Sequence, residues 1–484
     1  MNGRSLLLLM ASWFLCLTEA SAQITWQATY GGNSTDEGNS VLVSMDGNYL
    51  VVGSTGSFGA GSGDIYVLML DPYGVKIWSR TLGGPGIDQG RKVVQAPDGG
   101  FVLAGITNSS GNGGYDGYVA KIAVDGTLLW EHTYGGEGWD LLYSISNTPD
   151  GGFITAGETF SSGAGGGDAW TVKLSAEGDL QWERTYGGAE EDFVRSVITT
   201  SEGGFLIAGA TTVVDDQNAW LVKLDESGNV TWDTQAGGDS LDYANSVIQT
   251  ADGGYAAVGT TKSYSIYSEA LHFKLDATGS LQWLRNWGQV NNQESLDQVE
   301  LADGRLLSVG YVNTSGSGGK DMFIFFSSAD GDFLAGISNG GDNGAGDEYG
   351  YSVAIVPDGG FVFCGYTESF GFGTRDVYLV KTDSVGLTQS IAVDSYFDPL
   401  SIQTSASLIK PFYYPDPTSG MVLLSEPTSW SKMVLFDATG RTMRSWAPPY
   451  GTLGFSDLTD GTYFLRGTDR AGQVVTSPLI LQKH

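Results

Sequence analysis

The nine residues LQWERTYGG at 180–188 belong to a phrase that returns, with variations, along most of the chain. The glycine that closes it stands at Gly31, Gly83, Gly135, Gly187, Gly237, Gly288 and Gly340, in steps of 50 to 52 residues. A second landmark keeps the same beat: an acid followed by glycine at Asp46, Asp98, Asp150, Glu202, Asp252, Asp303 and Asp358. A repeat of this length is one supersecondary unit that cannot bury its own apolar surface and must pack against its neighbours. Strand-like segments at that period predict blades arranged around an axis.

Each copy reads as four strands. "SVITTSEGG" alternates and ends in a turn, and "FLIAGAT" follows at once. The acid-Gly-Gly step is therefore a hairpin turn in which glycine supplies positive φ. "AWLVKLDESG" is a third strand with a second turn, and "NVTWDTQA" is the fourth. The expected fold is all-β: a seven-bladed β-propeller of four-stranded blades over residues 23–386. The phase of the ring is also legible. "ITWQATYGG" is a fourth strand with no first three before it, and Ser390 stands where the seventh copy is due its tryptophan. Pairing Ile24–Tyr30 with Val377–Thr382 would close the ring and remove a ragged edge. Trp26, Trp78, Trp130, Trp182, Trp232 and Trp283 hold one register on the outer strands. They are expected to pack blade on blade, each docking its indole N–H on a backbone carbonyl. Ala335 takes that place in the sixth copy, which predicts a looser seam there.

The ends differ from the repeats. Arg4, the apolar run Leu6–Leu17 and Ala20-Ser21-Ala22 have the pattern of a secretory signal peptide over 1–22, cut between Ala22 and Gln23. The apolar run is too short to span a bilayer, and no other run approaches that length. Beyond it one cysteine remains, Cys364 in "GGFVFCGYT", which reads as a buried structural thiol. The net charge is -31 and the last 82 residues are nearly neutral, so the middle of the chain carries about -32. Such a surface repels nucleic acid and anionic membranes.

"YGGAEEDFVRSVITTSEGGFLIAGATT" followed by "AWLVKLDESG" resembles the bacterial SBBP-type β-propeller repeat, over roughly residues 24–386. The resemblance implies a secreted or surface protein and no particular activity. The "KLD…G…W" portion also resembles the tryptophan-docking motif of pyrroloquinoline quinone dehydrogenases, read here as shared blade mechanics. Residues 387–411 read as a linker. The tail, 412–484, resembles the C-terminal sorting domain of the type IX secretion system at Tyr414-Pro415-Asp416-Pro417, Gly420, Asp437, Gly440-Arg441, Gly461, Tyr463 and Lys483. Asp416 stands where that family has Asn. Turn residues between short alternating strands predict a small β-sandwich there. The resemblance implies the type IX machinery as a partner and a secreted or outer-surface location.

Catalytic signatures are sparse. His132, His272 and His484 have no serine, carboxylate or zinc-ligand partner at suggestive spacing. Two ladders of acids stand out. One follows Gly-Gly: Asp36, Asp88, Asp140, Asp192, Asp242 and Asp347. The other opens the third strands: Asp64, Asp116, Asp168, Asp321 and Asp376, with Asn218 and Glu269 in register. Each acid can fix a loop by accepting backbone N–H bonds, or the first ladder can hold calcium as the one candidate cofactor. Ligand-binding residues are sought where the repeat breaks: Trp139, Phe193, Tyr243 and Tyr349 beside the first ladder, and Tyr264, Tyr267, Phe370 and Phe372 in loops between second and third strands. Aromatic rings beside acids on one face suit a glycan or a protein segment. The expected function is non-catalytic binding at or outside the cell surface. The alternatives are a polysaccharide hydrolase using loop-face carboxylates and a structural surface component.

Overall fold

The structure, a computed structural model, describes residues 23–388 apart from 215, 289–291, 314–318 and 341–345. In the tail it describes 394–397, 413–414, 421–424, 430–437, 441–446, 452–455, 458–459, 461–469 and 474–481. Signal residues through Ala22 and the tail positions Pro415, Asp416, Pro417, Gly420, Gly440 and Lys483 lie outside the described residues. Ile24–Thr404 forms one compact unit, and the tail from Ser405 belongs to another.

The first unit is a seven-bladed β-propeller, and in blades one to six each blade is a four-stranded antiparallel sheet whose strands follow chain order. Blade three shows the plan: Asp140–Asn147, Phe153–Thr159, Asp168–Leu174 and Leu180–Tyr186. The second and third strands are buried along their whole length, because each is covered by a blade on either face. The hairpin joining the first two is a type I turn closed by a left-handed glycine. The Gly151 N–H donates to the Thr148 carbonyl at 2.9 Å and the Thr148 N–H to the Gly152 carbonyl at 3.0 Å, Pro149 sits where φ near -65° is wanted, and Gly151 has φ +82°. Blade seven closes as the phase of the repeat requires, with Trp26–Gly31 antiparallel to Asp376–Thr382 and Tyr30 opposite Val377. The stretch read as a linker contains a further strand, Asp394–Phe397, which adds in parallel outside Trp26–Gly31.

Every first strand carries a bulge near its start, for example between Leu142 and Ser144. The facing residue of the second strand is glycine in all seven blades. At Gly157 a Cβ would lie 1.7 Å from the carbonyl oxygen of Leu141, and at Gly365 1.6 Å from that of Tyr349. The bulge draws the two backbones together, and only glycine admits the approach.

The seams between blades follow one recipe, with departures in the first and sixth blades. The turn glycine of the next blade lies over each indole, as Gly126 does over Trp78 and Gly279 over Trp232. Trp26, Trp78 and Trp283 donate their indole N–H to Pro72, Val124 and Ala329 carbonyls, each at 3.1 Å. Opposite the tryptophan stands a third-strand lysine that reaches the hairpin acid, as Lys173 reaches Asp150 at 2.8 Å, except that Met69 stands opposite Trp78 in blade one. The sixth blade exchanges these parts, and the looser seam expected from Ala335 does not arise. Ala335 pairs with Phe326, which replaces the lysine and supplies the missing ring. Phe326 is 3% exposed, lies under Gly386, and meets Phe361 edge-on at 6.1 Å, the separation at which Trp182 meets Phe205. With no lysine to receive, Asp303 pairs instead with Arg305, which occupies the place of the second turn glycine.

The tail has a three-stranded and a four-stranded antiparallel sheet. Its buried cluster is Met433, Leu435, Leu453, Phe455, Tyr463 and Leu465. Tyr463, one of the sorting-motif positions, donates its hydroxyl to the Thr459 carbonyl at 2.9 Å.

Candidate functional site

The seven first strands contact one another in succession around the ring, Asp36–Val43 meeting both Asp88–Gln95 and Glu348–Ile355. They therefore line the central axis. Period-two alternation then sorts their side chains. The ladder acids turn into the seams and are buried. The next residues, Glu37, Leu141, Tyr243, Glu294 and Tyr349, are half-buried and face the axis.

Each ladder acid clamps its own loop. Asp140 accepts the Gly136 N–H at 2.7 Å and the Ser161 hydroxyl at 2.6 Å, and also bonds the Thr159 hydroxyl. Asp36 and Asp88 repeat the set with Gly32, Ser57 and Thr55, and with Gly84, Ser109 and Thr107. Asp192 and Asp242 accept from Gly188 and Gly238 in the same way. In the seventh blade the ladder position belongs to Glu348, not Asp347. Glu348 is buried and accepts from Thr367 at 2.7 Å, whereas Asp347 lies one residue earlier and accepts the Lys320 backbone N–H at 2.8 Å. The insertion "GGDNGAGDEYGY" adds residues ahead of the strand, and counting from Gly-Gly loses the register there. The second ladder caps the loop before the third strand, with Asp168 accepting from Ala164 and Gly165 and Asp376 from Phe372 and Gly373. Among the described residues no three acids, histidines or cysteines gather as a cation site.

At the ladder end of the axis the aromatic residues of five blades meet. Phe193 and Tyr243 lie 6.3 Å apart, with the Arg195 guanidinium 5.0 and 4.6 Å from their centroids. Tyr349 stacks on Tyr366 at 4.9 Å and touches Tyr311 at 4.5 Å and Tyr351 at 5.7 Å. The Lys320 ammonium sits over Tyr311 and Tyr349 at 4.2 and 4.6 Å. Arg375 lies 4.4 Å from the Tyr366 centroid and bridges Glu37 at 2.7 Å and Glu368 at 2.9 Å. Arg91 faces Tyr143 at 5.9 Å. Deeper in the channel, Lys92 of blade two reaches across to Asp297 of blade six at 3.5 Å. Asp297 also accepts from Ser246 and Ser352, at 2.9 Å each. The mouth is thus an aromatic and charged bowl with a polar floor.

Glu158 stands out within it. It is 7% exposed on the second strand of blade three, where other copies have Ser54, Ile106 or Thr260. Burial, reinforced by the negative charge of Glu191, pushes its carboxyl up to about 7 against the opposing effects of Arg195 and Tyr143. Elsewhere, burial lowers His272 to about 3 and raises the Cys364 thiol well above its ordinary range, and both are enclosed in packing. His272 bonds Ser295 at 2.7 Å and lies 4.1 Å from Trp287.

Of the aromatic residues chosen from the sequence, Phe193, Tyr243 and Tyr349 come together at the mouth. Trp139 does not. It precedes its ladder acid where the others follow theirs and so lies in the loop ahead of the strand, 55% exposed and edge-on to Tyr115 at 5.4 Å. Tyr264, Tyr267 and Phe372 are exposed in their loops, and Phe370 packs on Tyr378 at 6.0 Å. Sequence reasoning passed over Tyr143, Glu158, Tyr311, Tyr351 and Tyr366. The available signal was substitution at fixed registers of the first and second strands, where a chain that repeats itself elsewhere changes size and charge.

A family model, PQQ_2, described as outer membrane protein assembly factor BamB, matches residues 115–369. The comparison with curated proteins gave no match. Among solved structures, a protein of unknown function from Bacteroides caccae is 13% identical, with 60% of this chain and 94% of that one covered and a TM-score of 0.39. The extracellular domain of a putative one-component system from Bacteroides thetaiotaomicron is 12% identical, with 93% and 57% covered and a TM-score of 0.42. PorZ, a surface component of the type IX secretion system of Porphyromonas gingivalis, is 12% identical, with 93% and 60% covered and a TM-score of 0.42. This chain spans less than two thirds of the last two, and at these scores the likenesses carry no functional information. Among the described residues no helix is long and apolar enough to cross a membrane.

Proposed function

The chain belongs to the PQQ_2 β-propeller family, and on that premise we propose that it is an exported, non-catalytic binding module whose ligand seats in the channel mouth. The observation that carries this reading is the convergence of Phe193, Tyr243, Tyr311, Tyr349 and Tyr366 with Arg195, Lys320 and Arg375 on one opening. Tyr243 and Tyr349 are half-buried and backed by the buried rings of Phe193, Tyr311 and Tyr366, and rings with polar edges on a rigid scaffold form a surface of the kind that recognises ligands. The Lys92–Asp297 bridge across the axis supports a bowl rather than a conduit. The ligand class is a glycan or a protein segment. The family's description as an assembly factor keeps the protein segment as the competing occupant. The leader over 1–22, the SBBP-type order of the repeat and the sorting-domain motif order of the tail support export through the type IX machinery to the cell surface or beyond.

A hydrolase is the second reading, favoured by Glu158. A buried carboxyl raised to about 7 beside a second acid, Glu191, has the character of a general acid. One experiment separates the two. The purified full chain is screened on a glycan array and then incubated with whatever it binds. Binding without product, abolished by Tyr243→Ala, supports the module. Product release abolished by Glu158→Gln makes it an enzyme. Binding unaffected by Tyr243→Ala moves the site away from the mouth and sinks the reading.

A further inference from the structure

Cations are scarce in this propeller, and their placement is uneven. Residues 24–386 contain 16 Lys and Arg. Lys121, Lys173, Lys223, Lys274 and Lys381 are third-strand residues facing the hairpin acids. Another five, Arg91, Lys92, Arg195, Lys320 and Arg375, gather at the mouth and just beneath it. Five of the 16 cations thus stand around one opening, beside the acids Glu37, Glu158, Glu294 and Glu368.

Three of these mouth cations form no ion pair among the described residues. Arg195 donates to the Asn245 side-chain oxygen at 2.7 Å and lies over Phe193 and Tyr243. Lys320 bonds the Tyr349 hydroxyl. Arg91 donates to the Gln89 amide oxygen at 2.6 Å. Neighbouring acids are directed elsewhere: Glu37 to Arg375, and Glu158 and Glu294 to the phenols of Tyr143 and Tyr311. The arginines sit beside flat aromatic rings and keep further N–H groups for an incoming acceptor. A guanidinium presents paired donors that match a carboxylate, while an aromatic face suits the C–H face of a pyranose.

We propose that the mouth selects an acidic polysaccharide, with a uronate carboxylate held by Arg195, Arg91 and Lys320 and the sugar rings lying over the tyrosines. This rests on the binding-module reading and names the ligand class of that same site. A peptide is the less suited occupant, because the bowl offers phenols and charges rather than the apolar pockets that anchor peptide side chains.

The test is isothermal titration calorimetry of the full chain with three probes of similar length: oligogalacturonate, neutral xylo-oligosaccharide and oligoglutamate. Oligogalacturonate is expected to bind best, and more weakly at 150 mM than at 20 mM NaCl. Arg195→Gln and Lys320→Gln should each weaken it about tenfold, the scale of one charge-assisted hydrogen bond. Thermal melts equal to wild type would show that these exposed or half-exposed positions left the fold intact. If the neutral sugar binds as tightly and ignores both variants while Tyr243→Ala abolishes it, the acidic selectivity is wrong and the binding site stands. Preference for oligoglutamate with the same variant dependence overturns the sugar assignment. Oligogalacturonate binding that ignores all three variants, or no binding by any probe, overturns both the proposal and the reading beneath it.

Discussion

The sixth blade offers a sharp test of how the ring is held together. Its three departures, Phe326 for lysine, Ala335 for tryptophan and Arg305 for glycine, form one rearrangement, so reverting them should be strongly non-additive. Phe326→Lys alone removes a ring that is 3% exposed and places an ammonium beside the Arg305 guanidinium, which already holds Asp303 at 2.8 Å. Loss of the buried ring should cost about 3 kcal/mol. Ala335→Trp alone brings an indole to a seam where Phe326 already lies under Gly386, an overpacking of about 1 to 3 kcal/mol. Arg305→Gly alone loses an exposed ion pair and a cation–π contact 6.0 Å from the Phe326 centroid, about 1 kcal/mol together. Independent sites would sum to about 5 kcal/mol or more. The triple variant instead rebuilds the arrangement of Lys173, Trp182 and Gly152 in blade three, and should lie within about 1 kcal/mol of wild type. Equilibrium urea unfolding, followed by tryptophan fluorescence and circular dichroism, measures all four proteins. A triple variant as unstable as the three singles combined would refute the claim that the tryptophan and the phenylalanine fill one place.

Three further outcomes are expected. His272 is buried neutral with its pKa lowered to about 3, so the unfolded chain takes up the proton first. Stability should fall as pH drops below about 6.5, by at most ~1.4 kcal/mol per unit, and His272→Val, the residue at the same register as Val222, should flatten that slope in unfolding curves between pH 7 and 5. Glu158 is shifted the other way, to about 7, so stability should be lost as pH rises from about 4.5 through 7. Glu158→Gln should therefore unfold later than wild type at pH 8, by up to about 3 kcal/mol, and an unchanged midpoint would show that the carboxyl is not held protonated. Asp140→Ala strands the donors of Gly136, Thr159 and Ser161 and should cost about 3 kcal/mol, with calcium or EDTA leaving the wild-type melting temperature unchanged. A calcium-dependent rise that disappears in Asp140→Ala would instead make that ladder position a cation ligand.

The sequence alone determined the blade count, the four strands of each blade, the hairpin glycines and the closure by Trp26–Gly31. These follow from local periodicity and turn chemistry, which repetition displays seven times over. The tertiary structure alone decided which side chains share a surface. Phe193, Tyr243 and Tyr349 stand some 50 and 106 residues apart and meet only because their strands line one axis. Trp139 sits two positions ahead of their register, in the loop before the strand that opens at Asp140, where strand alternation no longer places it, and it packs on Tyr115 instead. The insertion before the seventh blade hid the ladder role of Glu348 behind Asp347, since counting from Gly-Gly assumes a fixed loop length. The exchange of Phe326 for a tryptophan was invisible for a related reason. Packing requires a ring in a given volume, and a neighbouring strand can deliver it as well as the strand on which the repeat leads one to look.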